Sequence, residues 1–167
     1  MCLSLVSCKN DKVEEQKEVI VKKPAFKVAL DLLIKKDDSL QVFYCEYGET
    51  EFDGAKTVWS SVKGSEEMQQ ITFDFPEDVL PTKLRIDISK NKNQDPIQVK
   101  SINLNYKDKN FTAKDTMFFQ YFIPNDQIDW DRKSSTANFK PKEGTSFDPQ
   151  FGSREIMELE LQKLTNN

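Results

Sequence analysis

The first half of the chain alternates hydrophobic and polar residues with a period of two. Phe26, Val28, Leu30 and Leu32 occupy every second position, and mostly polar or small residues lie between them. This alternation is typical of a strand with one buried face. Further short segments rich in β-branched, aromatic and alternating apolar residues predict strands over residues 40–47, 57–62, 70–75, 83–88 and 97–106.

The segments between these strands are short and contain turn residues. Asp37, Asp38 and Ser39 separate the first two strands, which are therefore predicted to form a hairpin. Within residues 97–106 the apolar positions change phase, which predicts a β-bulge near Lys100 and Ser101. Because this half has no long amphipathic helix between its strands, antiparallel pairing in a sandwich or jelly roll is expected rather than a βαβ sheet.

The last third of the sequence is less regular. Residues 117–123 are almost continuously apolar, which predicts a central strand that is buried on both faces. Residues 125–130 and 136–139 are predicted to form a hairpin, and the composition of residues 155–164 favours a short helix over a strand. The predicted fold class is therefore all-β: an antiparallel β-sandwich or jelly roll with a short C-terminal helix.

The N-terminal segment suggests a membrane anchor. Leu5-Val6-Ser7-Cys8 resembles a bacterial lipobox, and a polar, charged stretch follows it directly. The resemblance implies that a signal peptidase cuts before Cys8 and that the Cys8 sulfur carries a diacylglycerol. The expected organisation is a signal-peptide remnant over residues 1–7, a lipidated flexible tether over 8–24 and a single β-sandwich domain over 25–167.

Composition narrows the classes of partner. The chain has 24 basic and 28 acidic residues and a pI near 5.0, which argues against general binding of nucleic acid. The sequence also has no apolar stretch of about 18 to 20 residues, the length that a membrane-spanning helix needs. Attachment to a membrane is therefore expected to depend on the lipid alone.

Several kinds of catalytic chemistry are excluded by missing residues. The chain contains no histidine, so it has no Ser-His-Asp triad, Cys-His dyad or histidine-ligated metal site. It also lacks the glycine patterns that hold phosphates and any Cys-x-x-Cys pair, so no cofactor is expected. The chain is expected not to be an enzyme, although a hydrolase with paired carboxylates stays open, with Asp129 and Asp131 as the candidate pair.

One loop offers oxygen ligands for a structural calcium ion. Asn125, Asp126, Asp129 and Asp131 bring hard oxygen atoms together within seven residues, although their spacing does not match an EF-hand loop. A structural calcium ion is therefore a candidate, with Asp126, Asp129 and Asp131 as its ligands.

Aromatic residues in polar segments are the candidates for binding a ligand. An exposed ring beside acids and amides can stack on a sugar whose hydroxyl groups bond to the polar side chains. The candidate ligand-binding residues are Trp130, Asp129, Asp131, Asn125, Tyr47 and Phe52. The alternative for Trp130 is that its ring caps an open end of the sandwich.

The order of segments over residues 26–106 resembles that of a known domain family. The segments are Leu40–Tyr44, Val62–Gly64, Ile71–Pro76, Leu84–Asp87 and Ile97–Leu104. They look like the galactose-binding-like jelly-roll domains of bacterial surface-polysaccharide and glycosyltransferase proteins. Together with the lipobox, the chain is similar to small outer-membrane lipoproteins of Bacteroidetes.

These resemblances imply a function and a location. The expected protein is a lipid-anchored, non-catalytic component of the cell envelope, in the outer membrane of a Gram-negative bacterium, that recognises a carbohydrate or a similar polar ligand. The alternative is an accessory envelope lipoprotein that binds a protein partner through an exposed sheet face or edge.

Overall fold

The structure is a computed structural model that describes residues 23–166. Cys8, the predicted signal-peptide remnant and nearly all of the predicted tether lie outside the described residues. The strands and helices of the described part are, in chain order, β1 (Ala25–Leu33), β2 (Asp38–Cys45), β3 (Thr57–Val62), β4 (Gln69–Glu77), β5 (Lys83–Asp87), β6 (Ile97–Tyr106), β7 (Lys109–Lys114), α1 (Phe118–Tyr121), β8 (Phe122–Pro124), β9 (Ile128–Asp131), β10 (Thr136–Phe139), β11 (Gln150–Ser153) and α2 (Glu155–Thr165).

Two antiparallel sheets pack face to face, which confirms the predicted β-sandwich with a short C-terminal helix. The first sheet has the order β4-β1-β6-β10-β9, and β7 also pairs with β6. The second sheet has the order β3-β2-β5-β11-β8. Inward side chains from both sheets form one apolar core, in which Phe26, Phe73 and Phe151 are completely buried.

The predicted bulge in β6 is confirmed. Asp31 of β1 pairs with Ser101, whereas the next residue, Leu32, pairs with Val99. Lys100 is therefore the extra residue, and this explains why the apolar positions of β6 change phase. The predicted hairpin of the last third is also confirmed, because β9 and β10 pair around the turn at residues 132–135.

The predicted hairpin between the first two strands is wrong. β1 pairs with β4 and β6 in the first sheet, whereas β2 pairs with β3 and β5 in the second sheet. The four residues between β1 and β2 cross from one sheet to the other, and Ile34 within them is fully buried. A buried apolar residue in the connection favours this crossing over a solvated turn.

The predicted central strand over residues 117–123 is also wrong. A 3₁₀ turn over Asp115–Met117 leads into α1, and only β8 is extended. Phe118 and Phe122 stack with their ring centroids 4.8 Å apart, an i, i+4 pair of the kind that neighbouring helical turns bring together. The segment is apolar because its rings pack into the sandwich, so its composition did not distinguish a helical turn from a strand.

Gly64 holds the crossing between β1 and β2 in place. Its backbone lies so close to that connection that a Cβ at Gly64 would come within 2.7 Å of the Lys35 carbonyl carbon and of Lys36 Cα. Asp37 accepts a hydrogen bond of 2.9 Å from the Gly64 amide. Only a residue without a side chain fits between these backbone atoms.

We therefore expect Gly64→Ala to lower the free energy of unfolding by about 1–3 kcal/mol, because backbone atoms must move to accept the methyl group. Urea unfolding of the variant measures this loss. Gly54→Ala is the matched control, since no atom lies within 4 Å of a Cβ at that position. Equal stability of the two variants would contradict the packing described here.

Candidate functional site

The outer surface of the second sheet carries most of the chemically interesting side chains. In each strand the residues that alternate with the core residues lie on the opposite face of the sheet, and the strand register aligns them in rows. One row consists of Trp59, Gln41, Asp87 and Gln150. The next row consists of Phe43, Arg85, Gly152 and Ile123. We call this surface the second-sheet face.

Four charged groups meet at the centre of the second-sheet face. The Arg85 guanidinium donates to both carboxylate oxygens of Asp87, over 2.8 and 2.9 Å. Lys90 Nζ donates to Asp87 over 2.9 Å and to Asp148 over 3.1 Å. Asp87 is completely buried, so these charge-assisted bonds replace the water that its carboxylate loses.

The pKa values of both cations reflect this arrangement. The hydrogen bond to Asp87 is the largest influence on Arg85 and raises its pKa above the ordinary value. Partial burial alone would lower the pKa of Lys90, but the hydrogen bonds and charges of Asp87 and Asp148 outweigh it and raise that pKa. Both groups therefore stay charged at neutral pH, and two acidic side chains accompany the two basic ones.

The Arg85 side chain is held on two sides. Its guanidinium carbon lies 4.1 Å from the centroid of the Phe43 ring, and Nε and Nη2 are bonded to Asp87. Within residues 23–166, no hydrogen-bond acceptor engages its Nη1. The side chain is therefore fixed in position, and the N–H groups of Nη1 can donate to water or to a ligand.

Asp38 fixes the loop that carries Lys90. One carboxylate oxygen of Asp38 accepts hydrogen bonds from the amides of Lys90 and Asn91, over 2.9 and 3.1 Å. Its other oxygen accepts from the Ser89 hydroxyl over 2.6 Å and from the Gln94 amide over 2.9 Å. Asp38, the first residue of β2, thus positions Lys90, which follows β5.

Gln41 lies between Trp59 and Asp87 on the second-sheet face. Only 5% of the residue is exposed, and the described part of the chain offers no hydrogen-bond partner to its side chain. Its amide atoms nevertheless reach solvent, because Trp130 Nε1 is the one fully buried side-chain polar atom without a partner within residues 23–166. The Gln41 amide is therefore open to water or to a ligand on this face.

A groove with Gly152 as its floor lies beside this charged cluster. Its volume is about 320 Å³, and its walls are formed by Phe52, Arg85, Ile123, Pro124, Asn125 and Gln150. A Cβ at Gly152 would meet nothing closer than Ile123 Cγ2 at 3.9 Å, and the backbone there does not have a positive φ. The fold therefore does not require glycine at this strand position, and its effect is to leave the groove open.

The loop over residues 46–56 brings Phe52 to the groove. Lys56 closes this loop by bonding to Glu46 over 2.8 Å and to Glu49. These two hydrogen bonds, with Glu46 the larger influence, raise the pKa of Lys56. The Glu49 carboxylate also accepts from the Glu46 amide, and this bond is the main reason that its own pKa is lowered.

Two of the residues predicted from sequence lie at this groove. Phe52 and Asn125 both line it. The Asn125 side chain forms hydrogen bonds within the protein. Its Nδ2 donates to the backbone carbonyl of Asp148 over 2.8 Å, and its Oδ1 accepts from the backbone N–H of Gln127 over 3.2 Å. Asn125 therefore positions Asp148, whereas Phe52 offers an apolar wall.

Trp130 lies against the core. Its ring centroid is 4.2 Å from that of Phe119, 5.1 Å from Phe151 and 5.8 Å from Phe118. Its Nε1 is buried and has no hydrogen-bond partner within residues 23–166. This placement corresponds to the alternative in which the ring caps the end of the sandwich, and other aromatic rings occupy the surface that a sugar would need.

The acids around Trp130 are separately engaged. Asp126 pairs with Lys142, and Asp129 lies 3.2 Å from Lys140 Nζ. Asp131 accepts from the Lys133 amide, and its hydrogen bond from the Ser134 hydroxyl is the main reason that its pKa is lowered. Within residues 23–166, no three cysteine or carboxylate side chains are grouped closely enough to hold a metal ion.

Tyr47 is almost completely exposed, at 97%. It lies at a different hollow of about 310 Å³, which Leu80, Thr82 and Gln162 also line. The structure therefore does not bring Tyr47 to the Gly152 groove.

Sequence reasoning missed Trp59, Gln41, Arg85 and Asp148. Trp59, Gln41 and Arg85 lie within predicted strands, where alternation alone does not mark a binding residue, and Asp148 comes close to Arg85 only through the pairing of β11 with β5. The one usable signal was Trp59 itself, a tryptophan between polar residues in a predicted strand; its side chain is 54% exposed.

Compared with models of protein families, with curated proteins and with solved structures, the chain shows no match. Neither helix within residues 23–166 has the length and hydropathy needed to span a membrane. The functional argument therefore depends on the second-sheet face itself.

We expect Asp87→Asn to lower the free energy of unfolding by about 2–4 kcal/mol, because it leaves Arg85 and Lys90 sharing one carboxylate in a partly desolvated cluster. Asp74→Asn is the control, since Asp74 forms an exposed ion pair with Lys27 at 2.9 Å. Urea unfolding compares the two variants. A loss at Asp87 no greater than that at Asp74 would contradict the role given to the cluster.

Proposed function

We propose that this protein is a non-catalytic binding module that recognises a carbohydrate on its second-sheet face. The observation that carries this proposal is Gly152, a strand glycine whose backbone and neighbours would tolerate a side chain. Because glycine has no side chain, a groove stays open between an apolar wall at Phe52 and polar groups on Arg85 and Gln150. Apolar walls with a few fixed polar groups are the usual features of a sugar site.

Trp59 and Gln41 extend the proposed site across the sheet. The Trp59 ring is half-exposed, and Lys90 Nζ lies 5.8 Å from its centroid. A sugar ring stacked on the indole would place hydroxyl groups near the solvent-accessible amide of Gln41, which has no partner within residues 23–166. The carboxylates of Asp87 and Asp148 are both held by cations, which supports a role in binding rather than in proton transfer.

We expect Gly152→Val to weaken glycan binding at least about tenfold, because the added side chain fills the groove. The melting temperature should stay the same or rise, since valine suits a strand better than glycine does. Isothermal titration of the full-length chain, against glycans selected from an array, measures the loss.

Thr72→Val is the matched control, because it places valine at an exposed strand position on the opposite sheet. Equal binding by both variants would contradict a site at Gly152. If no sugar in the panel binds the wild-type protein, the proposed function itself is wrong.

We further propose that the protein is held at the cell envelope, in the outer membrane of a Gram-negative bacterium, by a lipid on Cys8. The lipobox-like sequence Leu5-Val6-Ser7-Cys8 supports this proposal. Metabolic labelling with a fatty acid should mark the wild-type protein and Cys2→Ser but not Cys8→Ser. Labelling that survives Cys8→Ser would exclude this anchor.

A protein partner is the second candidate function. Ile156 and Leu159, three residues apart on α2, are 43% and 54% exposed, and Ile123 of the edge strand β8 is 48% exposed. Exposed apolar side chains of this kind favour a protein contact. A photo-crosslinker at position 159 in intact envelopes would capture such a partner, and binding of glycans with no crosslinked protein would favour the first candidate.

A further inference from the structure

We infer that the second-sheet face selects neutral, hydroxyl-rich sugars over anionic ones, and that Asp148 is the residue that sets this preference. The inference rests on the proposed function, which it makes more specific. It states whether the ligand in the Gly152 groove is neutral or negatively charged.

The first argument is the charge balance of the central cluster. Two cations, Arg85 and Lys90, face two carboxylates, Asp87 and Asp148, with contacts of 2.8 to 3.9 Å. An anionic sugar bound to Arg85 would be a third negative group beside two cations. At these distances in a partly desolvated site, an extra like charge is strongly unfavourable.

Asp148 is the carboxylate that such a ligand would meet. Asp87 is completely buried under the cations, whereas the Asp148 side chain is 35% exposed. Asp148 Oδ2 lies 3.9 Å from Arg85 Nη2, on the same guanidinium whose Nη1 has no protein acceptor within residues 23–166. A carboxylate that approached Nη1 would therefore approach Asp148 as well.

Asp148 cannot easily turn away from this position. Its amide donates to the Gln127 side chain over 2.9 Å, and its carbonyl accepts from Asn125 over 2.8 Å. Gln127 is itself buried, and its amide nitrogen donates to the Ser146 carbonyl over 2.9 Å. These bonds fix the backbone of Asp148 next to Arg85 and Gln150 of the groove, and Lys90 Nζ at 3.1 Å and Gln150 Nε2 at 3.4 Å hold its carboxylate.

A sugar hydroxyl suits this arrangement because it both donates and accepts. It can accept from Arg85 Nη1 and donate to a carboxylate oxygen of Asp148 or to Gln150, whereas an ionised carboxylate can only accept. The neighbouring hollow of about 520 Å³ shares Ile123 with the groove and is also balanced in charge, since Lys83 and Arg154 accompany Glu155 and Glu158. An extended ligand would therefore meet balanced charge in the larger hollow and, in the groove, an Arg85 already paired with Asp87 and Asp148.

The test compares neutral and anionic oligosaccharides of equal length, such as galactan and polygalacturonate fragments, within a panel of neutral and uronate-containing glycans. Affinities are measured by isothermal titration with the full-length wild-type chain and with Asp148→Asn. The wild type should bind the best neutral fragment at least about tenfold more tightly than its uronate counterpart, and Asp148→Asn should reduce that ratio about tenfold.

Asp129→Asn is the matched control, because it changes the net charge equally at an exposed acid in β9 of the first sheet. It should leave the ratio unchanged. For the wild type, affinity for the neutral fragment should change less than about twofold between about 0.1 and 1 M NaCl, over which the Debye length falls from about 10 to 3 Å.

The outcomes separate the inference from the proposed function. Equal or tighter wild-type binding of the uronate fragment overturns the inference and leaves a carbohydrate-binding module. The same change of ratio in Asp129→Asn and Asp148→Asn overturns the role of Asp148. Binding of neither kind of sugar overturns both the inference and the proposed function. If Asp148→Asn does not fold, the wild-type protein still decides whether neutral sugars are preferred, through its ratio of affinities and the salt dependence of its affinity for the neutral fragment.

Discussion

The completely buried carboxylate of Asp87 is the constraint on which the second-sheet face depends. A buried negative charge is costly unless cations and hydrogen-bond donors replace its water, and Arg85 and Lys90 provide both. Arg85 and Lys90 are in turn held in position by other residues. Arg85 lies on the ring of Phe43, and Lys90 stands on a loop that Asp38 holds through its backbone amide. One ionised group thus ties together β2, β5 and the loop that follows β5.

The same interactions account for the shape of the proposed site. Arg85 lines the groove and is held by Asp87 and Phe43, so its side chain would lose little entropy on binding a ligand. Gly152 leaves the floor of the groove open, and Phe52 closes one side from the loop that Lys56 stabilises. The fold does not require glycine at position 152, because a Cβ there would meet nothing closer than 3.9 Å. The open groove is the reason that we propose a role in ligand binding for this face.

The strands could be predicted because their alternation directly reflects burial. β4, for example, buries Ile71, Phe73 and Phe75 and exposes the residues between them. The bulge at Lys100 was predictable for the same reason, since the pattern changes phase there. Strand partners were not predictable in this way. Pairing of β1 with β2 would have given the same alternation, and only the crossing of residues 34–37 between the sheets shows that they are not neighbours.

The candidate site was harder to predict than the fold because it is assembled from distant segments. Trp59, Gln41, Asp87 and Gln150 share a row only through the register of four strands. Trp130 stood out in the sequence because polar residues surround it, but the alternation of β9 turns its ring towards the core while Asp129 and Asp131 face solvent. Phe52 and Asn125 were identified as candidates, and their place at one groove depends on long-range packing.

The most direct test of the proposed site uses the two tryptophans of the chain as internal reporters. The indole N–H signals of Trp59 and Trp130, and the amide signal of Gly152, can be followed by NMR while a neutral oligosaccharide is titrated into the full-length protein. Saturable shifts of the Trp59 and Gly152 signals, with the Trp130 signal unchanged, are the predicted result. Shifts centred on Trp130, or no shift at Trp59 and Gly152 at saturating ligand, would contradict a carbohydrate site on the second-sheet face.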